Sequence, residues 1–181
     1  MTQEFSYFVR AGHIKSQPQT YPLKASAAQC EALAKRFGLA SLARLEGEFT
    51  LQHERAGIIA AALQMSADVT QVCVVTLEPF EDTVSEVAAL RFVPAALMQR
   101  QQGETEDEED ITPESLESPD EIPYENDQID LGEALAEQLA LVLPPYPRKA
   151  GASLPAAAQD DSANPFAALA ARLNKNSDES A

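Results

Sequence analysis

Apolar positions are densest at residues 69–80, VTQVCVVTLEPF, where Val69, Val72, Val74, Val75 and Leu77 are mostly β-branched. Such side chains are stiff at χ1 and fit a pleated surface, so the run predicts a central strand buried on both faces. Glu78-Pro79 is expected to stop it, because proline has no N–H to give to a ladder. Upstream, Phe5, Tyr7 and Val9 alternate and predict an edge strand over 4–10. Residues 11–23, with Gly12, Pro18 and Pro22, are expected to form a loop. Ser26 and Gln29 then have the spacing of a capping box, and Ala27, Cys30, Leu33, Ala34 and Phe37 form one helical stripe that Gly38 can end in the αL conformation.

Beyond this helix, Leu45, Phe49 and Leu51 sit among polar residues and predict a strand over 42–53, followed by a turn at 54–57. The run at 58–65 is short enough to be a helical turn by periodicity alone. The flanking Gly57 and the β-branched neighbours favour a strand leading into the central one, as one long bent strand or two. Val84, Val87, Leu90, Phe92 and Val93 predict a returning strand, with a slip near 87–90 that reads as a bulge. Residues 101–128 hold Pro113, Pro119 and Pro123, carry many carboxylates and few apolar residues, and are expected to be a disordered acidic linker. Asp130 is placed to cap a helix within 129–147 whose Leu131, Ala134, Leu135, Leu139 and Val142 share a face until Pro144-Pro145 ends it. After a low-complexity tail at 148–163, Asn164 and Pro165 suit the start of a short helix over 164–175. Its stripe is Phe166, Leu169, Ala170 and Leu173. That helix either folds back on the sheet or docks in another protein.

The fold class that follows is α+β: a mostly antiparallel twisted sheet packed by two helices, with a β-rich core at 1–100, an acidic excursion and a tail with a short helix. Charge sharpens the division. Of a formal net charge of −16, thirteen carboxylates lie between Glu104 and Asp130, so the remainder is near −3. No Lys or Arg occurs between Gln101 and Pro147. Cys30 and Cys73 are far apart and unpaired by any C-x-x-C spacing, which suits reduced, buried structural thiols. The start, MTQEFSYFVR, lacks a basic segment followed by an apolar one, and no run approaches the roughly 18 apolar residues of a membrane span. The expectation is a cytoplasmic protein without membrane contact.

Chemistry-bearing motifs are scarce. His13 and His53 have no Cys, Asp or His at ligand spacing, and no G-x-S-x-G, H-E-x-x-H, P-loop or G-x-G-x-x-G occurs. The carboxylate run at 104–110 is a solvated face rather than the two contrasting environments that acid–base work needs. The reading is therefore no enzyme, no cofactor and no metal. A cluster of Lys and Arg for a phosphate backbone is also missing, the nearest being Arg148-Lys149. Direct RNA binding would require Arg44, Arg55, Arg91 and Arg100 to converge on one sheet face. An acidic segment instead suits a basic protein, and ribosomal proteins are an abundant basic class.

Three places carry a resemblance to a known family. They are QVCVVTLEPF from Gln71 to Phe80, then Ile129-Asp130-Leu131-Gly132-Glu133 through Leu143-Pro144-Pro145-Tyr146-Pro147, and Asn164-Pro165-Phe166-Ala167-Ala168-Leu169. In order and spacing the chain resembles the YceD family, and CVVTLEP is similar to the form in alphaproteobacterial members. The resemblance implies a non-enzymatic factor in the accumulation of large-subunit ribosomal RNA and in ribosome biogenesis. Its partner would be a basic ribosomal protein or a pre-ribosomal particle. It marks Cys73, Leu77, Glu78, Pro79, Phe80, Asp130, Leu131, Pro144, Pro145, Asn164, Pro165 and Phe166 as candidate motif or partner-contact positions. Many relatives have C-x-x-C at the first place, whereas here Thr76 stands three residues after Cys73.

Overall fold

A computed structural model of the chain describes residues 4–104 and 119–153, with the backbone alone for 100–104. Long alternating strands form its body: β2 (Gln19–Lys24), β3 (Ser41–His53), β4 (Ile59–Val72), β5 (Pro79–Pro94) and β6 (Asp120–Tyr124). They lie in the order β2-β3-β4-β5-β6, antiparallel except for the parallel pair β5-β6. A separate antiparallel pair joins β1 (Phe8–Arg10) to β7 (Gln128–Asp130). Three helices complete the description: α1 (Ala27–Phe37), α2 (Ala95–Glu104) and α3 (Leu131–Val142).

The α+β class and the antiparallel sheet are as the sequence predicts, but several boundaries differ. The central strand is β4, and it is continuous with the run at 58–65. Residues 69–80 instead cross the end of the β4–β5 hairpin. Val69 and Gln71 face inward while Val72 and Val74 are exposed, so the apparent two-sided burial was an ordinary alternation closed by a turn. Pro79 begins β5 rather than stopping a strand. No slip occurs in β5: pairing with β4 runs without interruption from Phe92 to Pro79, and Val87 simply points outward, 73% exposed. The register shift sits in β3, between Leu42 and Arg44.

The edges were harder to read. β2 lies within the expected loop, and its Pro22 is tolerated because β2 is the outermost strand. The strand expected over 4–10 shortens to β1 and pairs with β7 away from the main sheet. Residues 119–128 are not part of a disordered linker: Ile122 and Tyr124 turn inward on β6, and Pro123 again occupies an edge. Asn126 and Asp127, both at positive φ, then form a two-residue turn closed by the Gln128 N–H on the Glu125 carbonyl at 2.9 Å. α2 adds a third helix to the two expected, and its last residues overlap the start of the expected linker. The rest of that linker, at 105–118, and the expected helix at 164–175 lie outside the described residues.

One face of the sheet is buried under α1 and α3. α1 has the expected capping box between Ser26 and Gln29 and ends on Gly38 at φ 67°. Its Leu33 meets the inward side chains Leu45, Phe49 and Leu63 in one core with Leu131, Leu135 and Leu139 of α3. α3 can press closely on β3 because residue 47 is glycine, where a Cβ would stand 2.7 Å from a Leu135 methyl. Arg36 fastens the two helices, donating to both Glu133 oxygens at 3.0 and 2.6 Å.

Candidate functional site

Two regions bring chemically distinctive groups together, at opposite ends of α3. At its C-terminal end the turn after β4 meets the segment after the helix. The Cys73 N–H donates to the Glu78 carbonyl and the Leu77 N–H to the Cys73 carbonyl, both at 2.9 Å, closing a loop in which Leu77 takes φ 60°. The Val74 N–H donates to the Pro147 carbonyl at 2.9 Å, and Lys149 Nζ reaches Glu78 at 3.2 Å. Thus the loop from Cys73 to Glu78 and the segment Pro147–Lys149, distant in sequence, form one patch, while Pro144 and Pro145 line a hollow beside Gln71 and Val72. Leu77 and Tyr146 stand out of the patch, 77% and 75% exposed. Nothing in the local patterning announced that meeting, since it rests on main-chain bonds across more than seventy positions.

Cys73 is fully buried and unbonded, as expected of a structural thiol, yet its surroundings are polar. The Thr76 hydroxyl above all, then the backbone N–H groups of Lys149, Thr76 and Val75, face the sulfur and bring the thiol down to about 6. Cys30, in the core, is pushed the other way by burial. Because the folded value of Cys73 lies below the ordinary 9.0, its contribution to stability is complete above that value. It is lost as pH falls through about 6. Thiolate absorbance of the native chain should therefore show one midpoint near 6, and Thr76→Val should move it upward; a single transition near the ordinary value would refute the assignment. Among the described residues no group of three or more His, Cys, Asp or Glu could hold a metal ion.

At the other end, Asp130 caps α3. Its Oδ1 accepts from the N–H groups of Tyr7 (2.9 Å), Gly132 (3.0 Å) and Glu133 (3.2 Å). Leu131 is fully buried, and its N–H donates to the Tyr7 carbonyl at 2.9 Å. Asp127 ties the same region to the N-terminal segment, Oδ1 accepting from the Gly12 N–H at 2.7 Å. The candidate motif residues Asp130 and Leu131 thus hold in place the start of a helix of 12 residues, some 18 Å long, whose other end leads toward the segment that meets the Cys73 loop. Asn164, Pro165 and Phe166 lie outside the described residues.

Beside the cap, β6, the Asn126-Asp127 turn, β7 and the first turns of α3 enclose a cleft of about 510 Å³. Its apolar lining includes Phe8, Phe92, Ile122 and Tyr124, and Glu121, Glu125, Asp130, Glu133 and Glu137 supply carboxylates. Glu133 is neutralised by Arg36, whereas Glu121, Glu125 and Glu137 have no ion-pair partner among the described residues. Burial, then the nearby Glu133 charge, raises the Glu137 carboxyl above its usual range, with Arg36 opposing. The Tyr124 hydroxyl donates to the Gly57 carbonyl at 2.7 Å and fixes the β6 wall. Composition identified the acidity but not the cleft; the Asn126-Asp127 pair, with its tolerance of positive φ, was the available signal.

Of the arginines that direct RNA binding would need, Arg55 and Arg91 line one hollow beside His53 and Glu54, and Arg44 lies apart from them. Arg44 is held by Asp68 and Glu46 at 2.7 and 3.2 Å. Arg91, 3.7 Å from Glu54, pairs in register with Ala60, eight positions along β4 from Asp68, or about 26 Å. The side chain of Arg100 is outside the described residues. No described helix is long and apolar enough to cross a membrane.

A family model described as "Large ribosomal RNA subunit accumulation protein YceD" matches residues 61–171, more than half of the chain. No curated protein and no solved structure matches.

Proposed function

The chain belongs to the YceD family, whose description is the accumulation of the large ribosomal RNA subunit, and from that premise we propose that it acts in the cytoplasm as a non-enzymatic adaptor for a basic ribosomal protein. One observation supports the reading above others: a cleft with an apolar floor has three carboxylates at Glu121, Glu125 and Glu137 without a cation among the described residues. A lysine- or arginine-rich segment supplies the missing positive charge, and its apolar side chains find Phe8 and Ile122. The thirteen-carboxylate stretch that contains β6 adds attraction at longer range, which salt screens over about 10 Å at 0.1 M.

Affinity capture with the full chain at low and moderate salt tests this. Ribosomal proteins or precursor particles should be recovered at low salt. Recovery should fall at least about tenfold at moderate salt and with Glu121→Lys/Glu125→Lys, a loss of roughly 1.4 kcal/mol. Depletion of the protein should lower the large subunit and its RNA. Capture of no ribosomal protein or particle at either salt would overturn the adaptor reading, whatever the effect of depletion.

A further inference from the structure

Independently of the acidic cleft, the tip of the β3–β4 hairpin carries a basic hollow of about 690 Å³, and we infer that this hollow holds a phosphate group. Two of its walls follow from register. Gln52 pairs with Ala60, and Ala60 with Arg91, so two long side chains stand about 10 Å apart on one face with a single methyl group between them. Leu51, Ala61 and Leu90, at the adjoining positions of the same strands, are buried in the core, which places Gln52 and Arg91 on the side away from α1 and α3. The third wall is the turn. Ala56 and Gly57 take φ 59° and 82°, the Ile58 N–H donates to the Arg55 carbonyl at 3.1 Å, and the Tyr124 hydroxyl holds the Gly57 carbonyl at 2.7 Å. Arg55 is thereby carried to the same hollow as Arg91.

The cations of the hollow are not neutralised by its own residues. Arg55 makes no ion pair or hydrogen bond among the described residues, and Arg91 has only the 3.7 Å approach of its Nε to Glu54, too long for a hydrogen bond. Arg44, elsewhere on the sheet, is by contrast held by Asp68 and Glu46 at 2.7 and 3.2 Å. Two guanidinium groups against one carboxylate leave the hollow positive in a chain whose formal charge is −16. Its walls are fixed before any ligand arrives: Gln52 Nε2 donates to the Ser16 carbonyl and the His53 N–H to the Lys15 carbonyl, both at 2.9 Å. Each guanidinium presents a planar fork of donors that fits an oxyanion. A carboxylate, with two oxygens in one plane, satisfies one fork, whereas the tetrahedral oxygens of a phosphate can face two forks from different walls. The terminal phosphate of a nucleotide and the phosphodiester of an RNA share this chemistry.

Titration of the full chain with inorganic phosphate, followed by NMR of the arginine Nε–H and the methyl groups, tests this. At constant ionic strength phosphate should move the Arg55, Arg91 and Ile58 signals along one saturating curve and leave those of Arg44, Leu63 and Leu90 in place. Acetate should bind at least about tenfold more weakly. Arg91→Gln and, at the exposed turn, Arg55→Gln should each weaken phosphate binding at least about tenfold, while Arg44→Gln leaves it unchanged. Glu54→Gln should tighten it about fourfold by removing the one like charge in the hollow. A nucleoside 5′-monophosphate that binds as well as phosphate, beside a short RNA without terminal phosphates that does not, assigns the site to a nucleotide. Binding of that RNA, lost in the same two variants, assigns it to a phosphodiester. An equal response to acetate, or phosphate binding as tight in Arg55→Gln and Arg91→Gln as in the wild type, would overturn the inference.

Discussion

Gly132→Ala is expected to destabilise the protein by about 2–3 kcal/mol, although helix propensity alone favours alanine by about 1 kcal/mol. The reason is proximity to main chain. A Cβ on residue 132 would stand 2.8 Å from the Phe5 carbonyl oxygen, the Ser6 Cα and the Tyr7 nitrogen. None of those atoms can rotate aside as a side-chain tip can, so α3 or the N-terminal segment must move. Movement would stretch the Leu131 N–H bond to Tyr7 and the Tyr7 N–H bond to Asp130, which hold the same junction. Urea denaturation followed by circular dichroism measures the effect, and a variant as stable as the wild type would refute it. The same displacement shifts Asp130 and Glu133, two walls of the acidic cleft, so capture of a basic partner should weaken with it.

The second large effect concerns the contact of α3 with β3. Leu135→Ala removes a fully buried side chain and should cost about 3–4 kcal/mol. Gly47→Ala places a methyl group 2.7 and 2.9 Å from the two Leu135 methyl carbons and should cost about 2 kcal/mol by overpacking. The two changes answer one another, since the added methyl group fills space that the truncation empties. The double variant should therefore be at least about 1 kcal/mol more stable than the sum of the single effects predicts. Strict additivity in a double-mutant cycle would show that residue 47 and Leu135 do not share that space.

What could be read from the sequence follows from how locally each element is determined. α1 is legible because Ser26, Gln29, the apolar stripe and Gly38 all act within a dozen residues, and α3 because Asp130 and Leu131, Leu135 and Leu139 do the same. β3 follows from alternation, and the run at 58–65 marks the start of β4 through the flanking Gly57 and its β-branched neighbours. The errors lie where a residue type has two uses. Proline reads as a breaker, yet Pro22 and Pro123 sit on edge strands that need no donor on the free side. The valines before and after Cys73 read as a buried run, although a turn sends Val72 and Val74 outward. Acidity across 101–128 suggested one solvated stretch and concealed the alternation of Ile122 and Tyr124 within β6. The candidate motif residues were found by resemblance. Their separation into a Cys73–Pro147 patch and an Asp130 junction depends on long-range main-chain bonds that spacing cannot encode.

The pairing of β1 with β7 bears on how the molecule is made. Tyr7 is bonded to Asp130 and Gly12 to Asp127, partners 123 and 115 positions apart. During synthesis from the N-terminus, the strands from β2 to β5 can assemble as soon as they emerge, while residues 5–14 must wait for residues 127–131, in the last third of the chain, before their clasp exists. Phe5 and Ile14, buried in the finished protein, therefore stay open to solvent and to chaperones until translation has passed residue 131.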